Sequence, residues 1–384
     1  MGVAPRVLAL AVAAVAARSW NLSIVQTDAL RAALPPREAL ALGPARAPSN
    51  ASLRCYASAW DAAKGSRVLF GGHGELETRL GARARAARAP GRGPAPAVVS
   101  VVATVYGGAM DRDFDAYVNA LASSLAAVPW ELVTVLDVPP AAAWVARALS
   151  AARASGSLEA AAAAWACEPL YEPAADALGL RLASAGLVAL AQVDTRLRAP
   201  GWFEALRAPL DAWGDVVAVS ARDAHQWWSR DDCGRAWASP AAAAAYFADP
   251  RRHARKACAV RGADLPPGAF AVRDTANRGP LLLRKRYVDA LGGLDDACFF
   301  DGGDEHDLFA RAFVERGWVV GAANAGPFLH AKETRAGRVA HNFGDRVAPA
   351  RGCEPPLARR LAPLALPGHN EVRTLPAATA RVGT

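Results

Sequence analysis

Hydrophobic positions take on a regular period at Val98. There "VVSVVATVYGG" forms a β-branched run closed by two glycines, the pattern of a buried strand followed by a tight turn. The next segment, "DRDFDAYVNALASSLAAV", sets Phe114, Tyr117, Leu121 and Leu125 at spacings of three and four. This predicts an amphipathic helix with acids in its first turn and Pro129 soon after its end. "WELVTVLDVPP" is then a second strand, ended by prolines. Strand, helix and strand in such close succession make a βαβ unit, so the sheet is expected to be parallel with a right-handed crossover.

The same patterns continue downstream. Strands are expected at "GLVALAQVD", "DVVAVSA", "GPLLLR" and "WVVGAANAGPFLH", and helices at "WFEALRAPLDAW" and "RYVDALGG". Ala142 to Ala166 is an almost pure alanine helix signal. Leu308, Phe309, Ala312 and Phe313 mark the apolar face of another helix, which Gly317 stops. Together these predict an α/β domain over 97–345 whose chemistry lies beyond the carboxyl ends of its strands.

Outside that span the pattern weakens. Residues 18–96 are rich in Ala, Arg, Pro and Gly and are expected to form a low-complexity stem or linker, with "RCYASAW" and "SRVLFGG" hinting at a small ordered element. Residues 346–384 are expected to form a C-terminal tail. The apolar run Val7–Ala17 falls short of the roughly 20 residues that span a bilayer, so 1–17 is expected to be a signal peptide or a weak signal anchor. Membrane association would then involve the N-terminus alone. The tripeptides Asn21-Leu-Ser and Asn50-Ala-Ser agree with entry into the secretory pathway as a glycoprotein.

Composition changes this picture little. At 53% hydrophobic residues, the 384-residue chain has enough apolar side chains for a large core. Its abundant alanine inflates helix propensity nearly everywhere. The net charge is +8, but the 44 basic residues are scattered, which argues against a nucleic-acid partner; a mild positive balance suits an anionic small substrate but is explained as well by arginine-rich codon bias, the favoured reading. The six cysteines show no C-x-x-C spacing and so no structural zinc site; Cys233 and Cys258 flank one irregular insertion and are either a loop staple or free thiols.

Candidate chemistry gathers at strand and helix ends. Asp194 ends the apolar run of "LVALAQVD", where a carboxylate can hold a divalent cation or cap a turn. Asp137 follows a second apolar run, where an acid can accept hydrogen bonds from a ribose or a base. Asp304, Glu305, His306 and Asp307 crowd the start of a helix. One acid is enough to complement a helix N-terminus, and clustered acids raise one another's pKa toward the range of a proton acceptor. His330 follows a probable strand and gains interest only if Asp194 holds a metal. Trp227 and Trp228 lie in an irregular insertion suited to an acceptor-binding loop, whereas Trp202 is expected in the core.

In their order, "VVSVVATVYGG", "WELVTVLD", "LVALAQVDTRLRAPGWFEALRAPL", "NRGPLLLRKRYVDALGGLDDACFF" and "GGDEHDLFARAFVERGWVV" resemble the GT-A nucleotide-sugar glycosyltransferases, closest to glycosyltransferase family 2. The resemblance spans Val98 to His330 and implies a Rossmann-like, mixed and mainly parallel sheet flanked by helices. It also implies a nucleoside-diphosphate sugar as donor, a glycan or other hydroxyl as acceptor, and Mn2+ or Mg2+ as cofactor. By the same resemblance, Ala103 to Tyr106, with Thr104 and Tyr106 foremost, contact the nucleotide, and Asp137 meets the base. Gln192-Val193-Asp194 take the place of the metal-binding D-x-D motif, and His330 that of a histidine completing the metal shell. Asp304, Glu305 and Asp307 stand where an E-D-x-D segment supplies the catalytic base of inverting members, either Asp304 or Glu305 filling that role.

The resemblance implies an inverting transferase in the Golgi lumen or secreted. Gln192 in place of an acid motivates an alternative, a catalytically impaired nucleotide- or glycan-binding relative. A two-carboxylate glycoside hydrolase is a third reading, and the parallel-sheet start favours it least.

Overall fold

The computed structural model describes residues 67–70, 84–89, 96–106, 113–137, 147–148, 150–151, 161–166, 171–228, 257–296, 299, 303–330, 357–361 and 371–376. In chain order its elements are β1 (Arg67–Phe70), β2 (Ala84–Ala89), β3 (Val99–Tyr106), α1 (Phe114–Ser124), β4 (Trp130–Asp137), β5 (Ala161–Ala166), α2 (Tyr171–Leu182) and β6 (Leu187–Leu190). There follow β7 (Thr195–Arg196), α3 (Trp202–Ala212), β8 (Val216–Ser220), β9 (Asp223–Gln226), β10 (Ala257–Arg261), β11 (Ala269–Arg273), β12 (Thr275–Ala276) and β13 (Leu281–Arg284). The last are α4 (Lys285–Ala290), α5 (Asp304–Arg316), β14 (Val319–Ala323), β15 (Leu329–His330), α6 (Leu357–Leu361) and β16 (Glu371–Thr374).

One sheet of 11 strands organises the molecule, in the order β1-β2-β5-β4-β3-β6-β13-β8-β14-β11-β16. The central strands β5, β4, β3, β6, β8 and β14 run in one direction, and β13 and β11 run against them. This is the mixed, mainly parallel α/β sheet expected from the βαβ start.

Strand alternation loads both faces. Val99, Val101, Ala103 and Val105 join Phe114, Tyr117 and Leu121 of α1 and Trp202, Phe203, Leu206 and Leu210 of α3. Val102, on the opposite face, joins Ala174, Ala175 and Leu178 of α2 and Leu308, Phe309 and Ala312 of α5. Gly179 lets α2 lie close on β3, since a Cβ there would stand 2.2 Å from Val102 Cγ1. Trp202 is buried as expected, its indole N–H donating to Ser124 Oγ at 3.0 Å.

Three segments depart from the sequence reading. Ala161–Ala166 is a strand rather than the end of an alanine helix: its backbone pairs with β4 on one side and β2 on the other. Two sheet ladders outweigh the small per-residue advantage of alanine in a helix. The 18–96 region contributes β1 and β2, so "ARAARA", expected to be linker, is a strand near the sheet edge, where backbone pairing does not require a continuous apolar face.

Residues 346–384, expected to be a tail, supply α6 and β16. β16 pairs with β11, and Arg373 bonds both Asp215 carboxylate oxygens at 2.9 Å. Leu357 and Leu361 of α6 pack with Phe313 and Trp228. The 1–17 segment, both sequons and the cysteine side chains lie outside the described part of the chain. Among the described residues no helix is long and apolar enough to cross a membrane.

Candidate active site at the strand ends

The carboxyl ends of β3, β4 and β6 bring most of the sequence candidates to one edge. Tyr106 and Asp137, the last residues of β3 and β4, are direct partners in the parallel ladder; their side chains lie outside the described part. Thr104, two residues earlier, is buried and donates its hydroxyl hydrogen to Asp176 Oδ1 at 2.8 Å. Asp194 lies just past β6 and is buried. The antiparallel pair β7–β15 sets His330 opposite Thr195, so its backbone stands beside the residue that follows Asp194. The imidazole of His330 is likewise outside the described part.

At the centre stands a side chain that the sequence reading did not single out, Arg278, only 4% exposed. Its guanidinium reaches four carboxylates through three nitrogens. Nε lies 3.0 Å from Asp176 Oδ2, Nη1 3.6 Å from Glu172 Oε1, and Nη2 3.7 Å from Glu305 Oε2 while also donating to Asp304 Oδ2. Asp176 and Glu172 belong to α2, Asp304 and Glu305 to the first turn of α5. Gln192, in the stretch that carries Asp194, donates its amide to Glu172. Tyr117 of α1 donates to Ala191 O at 2.9 Å, and the charges of both Asp194 and Asp176 act on its hydroxyl. The Tyr117 hydroxyl thus lies within the electrostatic reach of both Asp194 and Asp176, and Asp176 in turn pairs with Arg278.

Electrostatics separate the acids into different protonation states. Burial raises the Asp176 carboxyl to about 7, with Glu172 and Glu305 adding to the rise and Arg278 and the Thr104 hydroxyl opposing it. Burial also pushes Asp304 well up, against Arg278 and with the charge of Glu305. For Glu305, burial pulls upward too, but Arg278, His306 and a hydrogen bond from Asp304 prevail and hold it well below the usual range. The two neighbouring acids are thus pushed in opposite directions, Asp304 toward its protonated form and Glu305 toward its carboxylate. Arg278 donates closely to Asp304, yet a guanidinium can donate to a protonated carboxyl as well as to a carboxylate. With its side chain 0% exposed, Asp304 is the costlier place for charge, and Glu305 at 14% is the cheaper.

The helix start explains how these side chains are placed. Gly303 enters α5 at φ +93°, and Gly317 leaves it at φ +65°, both in the left-handed region that glycine tolerates. The N-cap is that glycine, with no side-chain cap bond, so neither Asp304 nor Glu305 is the cap.

Asp307, grouped with the acid pair in the sequence, is turned to other work. It holds Arg311 Nε at 2.7 Å, four residues along, and accepts the Leu357 backbone N–H at 3.1 Å, pinning α6. This position is a structural anchor because the helical twist carries it away from Glu305 toward α6. His306 Nδ1 lies 2.9 Å from Thr275 Oγ1, and its ring centroid is 4.2 Å from that of Trp227. Trp228 is a core residue stacked on Phe313, not part of a binding loop.

Asp176 and Arg278 left faint traces in the sequence. Asp176 interrupts the apolar stretch around Ala174, Ala175, Ala177 and Leu178, and Arg278 stands just ahead of the buried β13 strand. A charge on an otherwise apolar face signals a buried partner, but the partner itself comes from a different helix.

Among the described residues, no group of three or more His, Cys, Asp or Glu side chains is arranged to hold a metal ion. Asp194 and position 330, whose backbone pairs with Thr195, are the candidates for holding a cation at this edge.

No protein-family model and no characterised protein sequence matches the chain. Among solved structures, the chain is similar to a mannosyltransferase from Pyrobaculum calidifontis in complex with GDP-Man and Mn2+, at 15% identity and TM-score 0.38, over 72% of this chain and 75% of that one. It is also similar to glucosyl-3-phosphoglycerate synthase from Mycobacterium tuberculosis, at 17% identity and TM-score 0.38, over 64% and 75%. A third likeness is to TarS of S. aureus, at 12% identity and TM-score 0.37, over 61% of this chain and 36% of that one.

Proposed function

We propose that this chain transfers a sugar from a nucleoside-diphosphate sugar to an acceptor hydroxyl, with inversion at the anomeric carbon. The observation that carries the reading is the difference between the two acids that open α5. Glu305 is the more open of the pair and is held toward its carboxylate form, whereas Asp304 is fully buried and pushed toward its protonated form. Glu305 is thus the base: its carboxylate takes the acceptor hydroxyl's proton as that oxygen attacks the anomeric carbon and the bond to the diphosphate breaks.

On the donor side, Thr104, Tyr106 and Asp137 at the ends of β3 and β4 are the positions for the nucleotide. Asp194 and His330 are the positions for Mn2+ or Mg2+, which when bound would neutralise charge on the departing diphosphate. The acids gathered around Arg278 support a cation at this edge, since an anionic donor would meet little unneutralised positive charge there. The apolar run Val7–Ala17 and the two sequons support a site of action in the secretory pathway, the Golgi lumen first.

A panel of nucleotide sugars supplied with Mn2+, with released nucleoside diphosphate as readout, tests the transferase reading; release from one donor that depends on an added acceptor supports it. One observation favours a second reading, a binder without turnover: Gln192 stands where the first metal-motif acid would be, and its amide is committed to Glu172. Nucleotide binding seen by calorimetry, with no release from any donor, would select that reading.

A further inference from the structure

We propose that Arg278 is a positioning residue: its guanidinium, shared between α2 and the start of α5, fixes the orientation of Glu305 relative to the strand-end edge. The inference rests on the transferase reading for its kinetic meaning, but the geometry stands without it. A guanidinium presents its charge in a rigid plane, and here each nitrogen lies within ion-pair distance of a carboxyl, with Nη2 also donating to Asp304. Nε meets Asp176, Nη1 meets Glu172, and Nη2 serves both Asp304 and Glu305. Asp176 is further fixed by Thr104 of β3, so Arg278 ties α5 to the strand expected to carry nucleotide.

The groups facing Glu305 are Arg278 ahead of β13, Asp304 and His306 on its own helix, and Asp176 on α2, while Glu172 meets the same guanidinium. Beyond His306 stand Thr275, His225 and Trp227. Of these groups, Arg278 and a charged His306 favour the carboxylate form of Glu305, with Arg278 the stronger influence. A lysine at position 278 keeps a cation but has a single charged centre. It would settle between the deepest carboxyls, Asp176 and Asp304, and release Glu305.

The test compares the wild-type chain with Arg278→Lys by carbon-13 NMR titration of the Glu305 carboxyl, identified by its disappearance in Glu305→Gln. The expected result is a rise of about one pH unit in the Glu305 midpoint in the lysine variant. In an active preparation, the acid limb of kcat should move up in parallel while the donor KM changes little. An unchanged Glu305 midpoint overturns the proposal.

If the wild type turns over no donor, the transferase reading fails while the titration still decides the role of Arg278. Should Arg278→Lys not fold, the double variant Arg278→Gln with Asp176→Asn removes the buried cation along with one carboxylate it neutralises, and its expected midpoint shift is about 1 to 3 units upward. Failure of both variants to fold would make Arg278 a structural ion pair and overturn the proposal.

Discussion

Thr104 at the end of the first core strand donates to Asp176 on α2, joining the strand expected to carry nucleotide to a carboxyl that sits against Arg278. Through this hydrogen bond the two halves of the site form one buried network. Changes on either side are therefore expected to be felt on the other.

Asp176 makes stability depend on pH with a defined sign. Its folded carboxyl is raised to about 7 against an ordinary value of 3.8, so the native state holds this proton more tightly than the unfolded chain. Stability from this group is present at low pH and is lost as pH rises from about 4 to about 7, with a limiting slope of about 1.4 kcal/mol per pH unit. Urea denaturation across that range should show the decline, and Asp176→Asn should reduce its slope. An equal slope in both proteins would show that the carboxyl is not raised.

Glu305→Gln and Asp304→Asn should differ sharply. Loss of a general base typically costs about 100-fold to 10,000-fold in rate, so Glu305→Gln should fall in that range while still binding donor. Burial pushes Asp304 toward its protonated form, and asparagine imitates a protonated carboxyl in shape and polarity, so Asp304→Asn should keep most of its turnover. The reverse order of damage would make Asp304 the base.

Asp194→Ala is expected to remove Mn2+-dependent nucleotide binding, read by calorimetry with and without the cation, and to leave the far-ultraviolet dichroism spectrum unchanged. Asp194 lies after β6 rather than within the sheet ladder, so the fold does not depend on it for backbone pairing. Normal metal-dependent binding in this variant would rule out Asp194 as a ligand.

Asp307→Ala should act on stability. Removing it strips Arg311 of a buried carboxylate partner and the Leu357 N–H of its acceptor, at a cost of about 3 kcal/mol in urea denaturation. The folded fraction should retain turnover. A folded Asp307→Ala protein without activity would return this acid to the catalytic group.

Much of the fold was legible along the chain because its signals are local. The spacing of Phe114, Tyr117, Leu121 and Leu125 foretold the buried face of α1, and the β-branched run from Val98 foretold β3. Gly317 marked the end of α5. Asp137 and Asp194 were legible as acids closing apolar runs, and Asp304 and Glu305 as acids crowding a helix start, patterns confined to a few neighbouring residues; Thr104 and Tyr106 were singled out only by the family resemblance.

Pairing and partnership were settled only in three dimensions. Alanines at 161–166 became a strand because β4 and β2 offered ladders on both sides, and β2 and the edge strand β16 were recruited from segments with no strong apolar period. Arg278 meets acids 102 and 106 positions upstream in α2 and 26 and 27 downstream in α5. No window of sequence contains that set. Residue type and period act over a turn or a strand, whereas the opposite shifts of Asp304 and Glu305 depend on burial and on a cation delivered by the packing of distant elements.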